Sequence, residues 1–339
     1  MVCHPPLAIV CLLAISAVAS MGRAQGLPDP AADDFERHLL GPNWLRLGGS
    51  TADIVNMSDL GSPQANGCVV AWVGSQFAAN QFNEVTTATN MSLDMLTQVF
   101  VRQRTTDNAR YGFHWNGDNG NSRWEIKFDG VPTAQTRIVA SLQGPGPAPG
   151  STLRLEVWGS DPVVLRAFHD GQLLMVGIDT ASNRITGAGR SGLVGRLRTG
   201  VPYTPPMPIF ESWRGGSQYW FDEGQALAGT SGLPVLAGSG ALNAGALVAV
   251  ELSNALPLAP GFLVVGFARV DLPLFGGTLV PSLDVVLPRV IGAFGNDTLT
   301  LVWPNGMPSG LSAWWQTWIV DVGGPQGVAA SNAVLCLVP

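Results

Sequence analysis

Lysine is almost missing from this 339-residue chain: Lys127 is the only one, and every other basic residue is arginine. Charged residues amount to 12%, well below the usual ~25%. The net charge is −6 with no basic cluster, which excludes a nucleic-acid role, because backbone recognition needs concentrated positive charge. No Ser-centred elbow, no Gly-rich phosphate loop before a helix and no closely spaced His, Cys and carboxylate set for zinc can be found. Long apolar runs are also scarce. Beyond the N-terminus, the longest, around residues 261–275, is broken by Arg269, Asp271 and Pro273, short of the ~20 apolar residues a membrane-spanning helix needs.

What the chain does have is apolar residues at 46%, Gly 42 and Pro 25. That is ample for a buried core, and it suits an all-β chain with many turns better than long helices. Residues 1–24 read as a signal peptide. Residues 7–20 (LAIVCLLAISAVAS) form its apolar core, with small residues at Ala17-Val18-Ala19 and Gly22-Arg23-Ala24, although no Lys or Arg precedes Leu7. The expected location is therefore secreted, extracellular or at the cell surface. Removing the leader takes Cys3 and Cys11 with it and leaves Cys68 and Cys336, each in an apolar strand-like run. Two readings of that pair stand: a disulfide between domains, or two buried thiols acting as small hydrophobes.

A change of composition near residues 213–232 divides the chain. The expected layout is a first β domain over 26–217, a linker over 218–228 and a smaller β-sandwich over 229–339. Upstream, strands are expected at 67–74, 80–87, 97–104, 109–116, 122–129, 151–159 and 162–170, with turns between them at sandwich spacing. Alternation is explicit in two of them. Trp124, Ile126 and Phe128 oppose Arg123, Glu125, Lys127 and Asp129, while Leu153, Leu155 and Val157 oppose Arg154, Glu156 and Trp158. Asp170-Gly171 marks a type I′ hairpin, since Asp-Gly tolerates positive φ at both central positions. Downstream the only charges are Glu251, Arg269, Asp271, Asp284, Arg289, Asp297 and Asp321, among strands expected at 246–252, 261–268, 277–287, 297–303, 312–321 and 332–339. Tyr219-Trp220-Phe221 is too apolar for a free tether and is expected to dock the two domains.

Several stretches of the first domain resemble concanavalin A-like, laminin-G-type jelly rolls of secreted bacterial proteins. They are Asp33-Asp34-Phe35-Glu36-Arg37 with Asn43-Trp44, Asn80-Gln81-Phe82-Asn83-Glu84-Val85, Leu153-Arg154-Leu155-Glu156-Val157 and the strands around Asp170-Gly171-Gln172. The closing Ile209-Phe210-Glu211-Ser212-Trp213-Arg214-Gly215-Gly216 resembles the last strand, which pairs beside the first. The second domain resembles a small C-terminal β-sandwich module of secreted bacterial proteins, on Gly229-Thr230-Ser231-Gly232-Leu233-Pro234, Leu252-Ser253-Asn254-Ala255, Trp315-Gln316-Thr317-Trp318 with Asp321, and Ser331-Asn332. Its position implies sorting, anchoring or presentation.

The first resemblance implies lectins, adhesion modules, glycoside hydrolases or polysaccharide lyases. The hydrolase branch carries Glu-x-Asp-x-x-Glu on one strand, and no such motif occurs here. Glu125 and Asp129 share a face, but four residues at ~3.3 Å set them ~13 Å apart, against ~5–5.5 Å for a retaining pair. A solvated charged face is the plainer account of that strand. Arg102, Arg104, Tyr111 and His114, with His169, are the candidates for a lyase-like base site, and Asp33, Asp34 and Asp129 for a structural Ca²⁺. Trp72, His114, Trp115, Trp158 and Trp213 are candidates to stack on sugar rings or to complete the core. The leading expectation is a non-enzymatic protein that binds extracellular polysaccharide or a cell-surface polymer, its ligand residues drawn from Arg102, Arg104, Tyr111, His114, Glu125, Trp72 and Trp158. The alternatives are a polysaccharide-active enzyme using Tyr111, His114, Arg102 and Glu125, or a structural surface protein.

Overall fold

A computed structural model describes residues 30–35, 41–48, 68–89, 95–117, 122–130, 135–197 and 210–338. These divide between Gln218 and Tyr219 into two compact units, built of antiparallel strands with no α-helix among the described residues. The leader expected over residues 1–24 lies outside the described residues.

The first unit contains β1 (Ala31–Asp33), β2 (Trp44–Gly48), β3 (Cys68–Trp72), β4 (Gln81–Thr87), β5 (Met95–Gln103), β6 (Arg110–Asn116), β7 (Arg123–Asp129) and β8 (Arg137–Gln143). It continues with β9 (Thr152–Trp158), β10 (Val163–His169), β11 (Gln172–Asp179), β12 (Arg190–Leu197) and β13 (Phe210–Ser217). One sheet runs β1-β13-β4-β9-β10-β11 and the other β2-β3-β12-β5-β6-β7-β8. The chain passes from one sheet to the other after β1, β3, β4, β8, β11 and β12, so neighbours are often distant in sequence. This is a jelly-roll sandwich. The first and last strands lie side by side, Ala31 opposite Gly215 and Asp33 opposite Trp213.

Period-2 alternation accounts for the two inner faces. Leu153, Leu155 and Val157 of β9 are fully buried in one core with Trp124, Ile126 and Phe128 of β7. At Asp170-Gly171 both residues take positive φ, 50° and 74°, as the hairpin between β10 and β11 requires. Near the β1 edge, Trp44, Trp72 and Trp213 pack ring to ring with centroids 4.7–5.3 Å apart.

Between the sheets runs a polar staple. Asn83 of β4 donates through Nδ2 to the carbonyls of Phe100 (2.7 Å) and Gly192 (2.6 Å) across the interior, and its Oδ1 accepts the indole N–H of Trp213 (2.7 Å). Gln81 accepts the amide of Arg102 (3.0 Å) and the hydroxyl of Ser191 (2.9 Å). Arg102 itself has no exposed surface and donates to the carbonyls of Ala79, Ile185 and Gly159.

The second unit contains β14 (Trp220–Gly224), β15 (Val235–Ser239), β16 (Leu247–Ser253), β17 (Pro260–Gly266), β18 (Arg269–Leu274) and β19 (Gly277–Pro281). Then come β20 (Val285–Val290), β21 (Asp297–Val302), β22 (Ser312–Val320), β23 (Val328–Ala330) and β24 (Ala333–Leu337). The larger sheet runs β14-β24-β22-β17-β20 with β23 beside β22, and β15-β16-β21 forms the smaller. Val248, Val250, Trp303, Trp315, Val334 and their neighbours fill the core of this smaller sandwich. The hairpin β18–β19 sits apart, with Leu279 packed on Val264 and Trp318.

Two sequence expectations are corrected here. The segment 218–228, expected to be a tether, contains β14: Trp220 pairs with Cys336 and Phe221 with Leu335, and the Trp220 ring meets Trp315 at 6.0 Å. Its apolar residues belong to the second sandwich itself. The run 277–287, expected as one strand, is broken after Pro281 into β19 and β20. Cys336 is a free buried thiol that accepts the Trp315 indole N–H, and burial pushes its pKa up to about 11. The disulfide reading therefore fails.

Asp321, 1% exposed, anchors the turn between β14 and β15 by accepting the amides of Thr230 (2.9 Å) and Gly323 (2.9 Å) and the Thr230 hydroxyl. Burial raises its pKa, but these donors outweigh it and leave the carboxyl below its ordinary value. A lowered folded-state pKa means stabilisation that is complete above the unfolded value and lost as pH falls through the folded one. Asp321→Asn should flatten the acid limb of a urea-midpoint-against-pH curve for the second unit's transition. Separately, Asn83→Ala strands two carbonyls and an indole N–H at about 1–3 kcal/mol each. Its urea unfolding midpoint should drop by an amount equivalent to about 3 kcal/mol or more.

Candidate functional site

Strands β6 and β7 pair in register, His114 opposite Glu125, Arg110 opposite Asp129 and Asn116 opposite Arg123. Because Tyr111, Phe113, Trp124, Ile126 and Phe128 fill the core, these polar partners face away from it. They form two carboxylate-centred nodes. Glu125 accepts from Arg123 Nε at 2.6 Å and Asn116 Nδ2 at 3.3 Å, with His114 Nε2 3.4 Å away. Asp129 accepts from Gln98 Nε2 at 3.1 Å, with Lys127 at 3.1 Å and Arg110 at 3.4 Å. Along β7 the charges alternate as Arg123, Glu125, Lys127 and Asp129.

A close approach makes the second node possible. Gln98 of β5 stretches across β6 at Gly112, where an added Cβ would lie 1.8 Å from its Nε2. Phe100 lies over Gly192 in the same manner, at 2.4 Å from a built Cβ, and the Arg110 guanidinium sits 5.0 Å from its ring centroid. Cross-strand pairing thus holds each polar group on a sheet surface rather than on a loop.

Of the ligand-binding candidates named from sequence, His114 and Glu125 meet here and the others do not. Arg102 is the buried staple; burial lowers its pKa to about 10, with the Tyr111 hydroxyl acting in the opposite direction. Tyr111 is fully buried, donating to Asp179 (2.6 Å) and accepting the Ile185 amide (3.0 Å). Burial and the bond to Asp179 push its pKa far up, which unsuits it as a base. Trp72 is a core ring, 4% exposed, whose N–H goes to Ser75. Arg104 is held in its turn by Asp107 at 2.7 Å. Trp158 lies on the outer face of the other sheet, beneath the Arg166 guanidinium at 4.8 Å. His169 is on that sheet too, 4.9 Å from the Trp124 ring and bonded to Ser151. The constellation Tyr111, His114, Arg102 and Glu125 is therefore split between core and surface.

The calcium trio is not assembled either. Asp33 accepts the Trp44 indole N–H at 2.7 Å on β1, in one sheet, while Asp129 is held by Gln98, Lys127 and Arg110 in the other. Among the described residues no group of three or more His, Cys, Asp or Glu could hold a metal ion. Of the rings that could either stack on sugars or complete the core, Trp72 and Trp213 complete the core, at 4% and 1% exposure, and Trp115, partly buried against it, donates to the Gly144 carbonyl and packs on Gly146.

Sequence reasoning missed Gln98, Arg110, Asn116, Arg123 and Lys127 as members of the site. The available signal was the alternation Arg123-x-Glu125-x-Lys127-x-Asp129, which reads equally well as a solvated face.

No protein-family model and no curated protein matches the chain. Among solved structures it is similar to the Bacillus licheniformis β-glucanase, at 15% identity over 56% of this chain and 99% of that one, with a TM-score of 0.37. It is similar also to carbohydrate-binding module CBM66 from Bacillus subtilis, at 10% identity over 46% and 92%, TM-score 0.34. A third is a Bacillus subtilis protein of unknown function with a galectin-like fold, at 11% identity over 51% and 89%, TM-score 0.35. Likenesses this distant carry no argument about chemistry, and the site rests on its own residues.

Tyr111→Phe should separate core from site. Losing the hydroxyl strands buried Asp179 and Ile185 groups, so stability should fall by about 1–3 kcal/mol in chemical denaturation. Ligand affinity measured on the folded variant should be unchanged.

Proposed function

We propose that the protein is a glycan-binding protein whose first sandwich holds its ligand on the outer face of β5–β7, and that the signal-like leader exports it. The observation that carries this reading is the pair of carboxylate-centred nodes, Glu125 with Arg123, Asn116 and His114, and Asp129 with Lys127, Arg110 and Gln98. Sugars are recognised by planar polar side chains held in fixed positions, so that little rotamer entropy is lost on binding. Ion pairs within β7 and between β6 and β7 supply that fixing here. The second, charge-poor sandwich, with Phe294, Leu258 and Val290 among its exposed apolar side chains, fits presentation or retention at a surface.

The enzymatic alternative rests on the contact between His114 and Glu125. Among the described residues of β6 and β7 it lacks a second carboxylate at glycosidase distance, since Asp129 is four residues along the strand, about 13 Å. Incubation with polysaccharides and assay for new reducing or unsaturated ends tests it.

Lys127 provides a direct probe, being the sole lysine of the sequence and 27% exposed on this face. Amine-reactive labelling followed by peptide mass spectrometry should show Lys127 modified in the free protein and protected by a bound polysaccharide. A panel of polysaccharides in which none binds, or one binds and leaves Lys127 fully reactive, rules out this face as the glycan site.

A further inference from the structure

The two nodes are not symmetric between surface and depth. The Glu125 side chain is 5% exposed and its partner Arg123 29%; Asp129 is 18% exposed and Lys127 27%. In each node the carboxylate lies beneath one more exposed cation, Arg123 over Glu125 and Lys127 over Asp129. Each carboxylate is already met by three side chains, leaving little acceptor capacity for anything arriving from solvent. Arg123 meets Glu125 through Nε alone, and the Lys127 ammonium has three donors and one carboxylate partner. What the face offers outward is donors carrying positive charge.

A neutral sugar presents hydroxyls that donate as well as accept, and a site for it needs acceptors to take those protons. On this face the two carboxylates are already engaged by neighbouring side chains. Its remaining donors suit a group that only accepts and is negatively charged, and an arginine fork matches such an oxyanion in shape. The chain as a whole carries −6, so general attraction for polyanions is absent and the effect is local to the face.

Building on the glycan-binding reading, we propose that the ligand is an anionic polysaccharide, held through its carboxylate or sulfate groups by Arg123 and Lys127. Glu125 and Asp129 act as positioning residues that hold the two cations on the sheet surface.

The test is binding of the purified protein to polygalacturonate, dextran sulfate, neutral β-glucan and double-stranded DNA, at 50 and 200 mM salt. The proposal expects binding to one or both anionic glycans, weakening with salt, with neutral glucan and DNA at least tenfold weaker. The tighter of the two glycans identifies the oxyanion. Lys127→Gln and Arg123→Gln should each weaken binding roughly tenfold, the order of one charge-assisted hydrogen bond, and Lys127→Glu more. Melting curves establish that each variant is folded, and Lys127→Gln, at a partly exposed position, remains informative if Arg123→Gln is not. Equal or tighter binding of neutral glucan, insensitive to these variants, overturns the anionic assignment and leaves the glycan-binding reading standing. DNA bound as tightly as the glycans overturns the assignment as mere polyanion attraction. Binding to no polysaccharide overturns both.

Discussion

Asn83 lies where two sheets turn hydrocarbon toward each other, and it answers three backbone and side-chain groups that would otherwise face that hydrocarbon unpaired. Its amide holds Phe100 and Gly192, neighbours on β5 and β12, and its oxygen holds the Trp213 indole. With Gln81 and Arg102 it ties β4 of one sheet to β5 of the other at the centre of the sandwich. Unsatisfied polar groups at such depth cost more than their hydrogen bonds contribute when made, so the network specifies one relative position of the sheets. Apolar packing alone is far less directional.

The outer face of the same sheet depends on that placement. β5 carries Phe100 and Arg102 in the staple and Gln98 in the Asp129 node. Gln98 reaches Asp129 only because Gly112 leaves the sheet surface open beneath it. Arg110, His114, Glu125 and Asp129 then meet because β6 and β7 pair in one register. A slip of one residue would turn each of them into the core and bring Phe113 and Trp124 to the surface. Burying the core and assembling the polar nodes are therefore two consequences of one register.

Strand positions were largely legible, since β4, β6, β7, β9 and β10 fall within a residue of the expected runs. Each alternates cleanly and is bounded by turn residues. Where one strand became two, at Pro281, the apolar run continued through a break that periodicity does not mark. The tether at 218–228 was misread because Tyr219-Trp220-Phe221 is apolar enough for docking and for a strand alike, and pairing with β24 decides between them.

Alternation in this sequence determined the all-β class, the two-sandwich layout and which residues of β7 and β9 share a face, because side-chain direction follows from the two-residue period of a strand. It also placed Glu125 on the face of β7 opposite Trp124, Ile126 and Phe128. What only the tertiary structure decided is which strands become neighbours and on which side of the sheet a tryptophan or arginine ends. Arg102, Tyr111, Trp72 and Trp213 are surface-chemistry candidates in sequence and are core in the fold, because loop carbonyls, the Asp179 carboxylate, the nearby Ser75 hydroxyl and the Asn83 amide oxygen receive their polar atoms. Lys127, the single lysine, draws its meaning from Asp129 two residues along its own strand and from Arg110 and Gln98 across the sheet, a grouping that exists only once β5, β6 and β7 lie side by side.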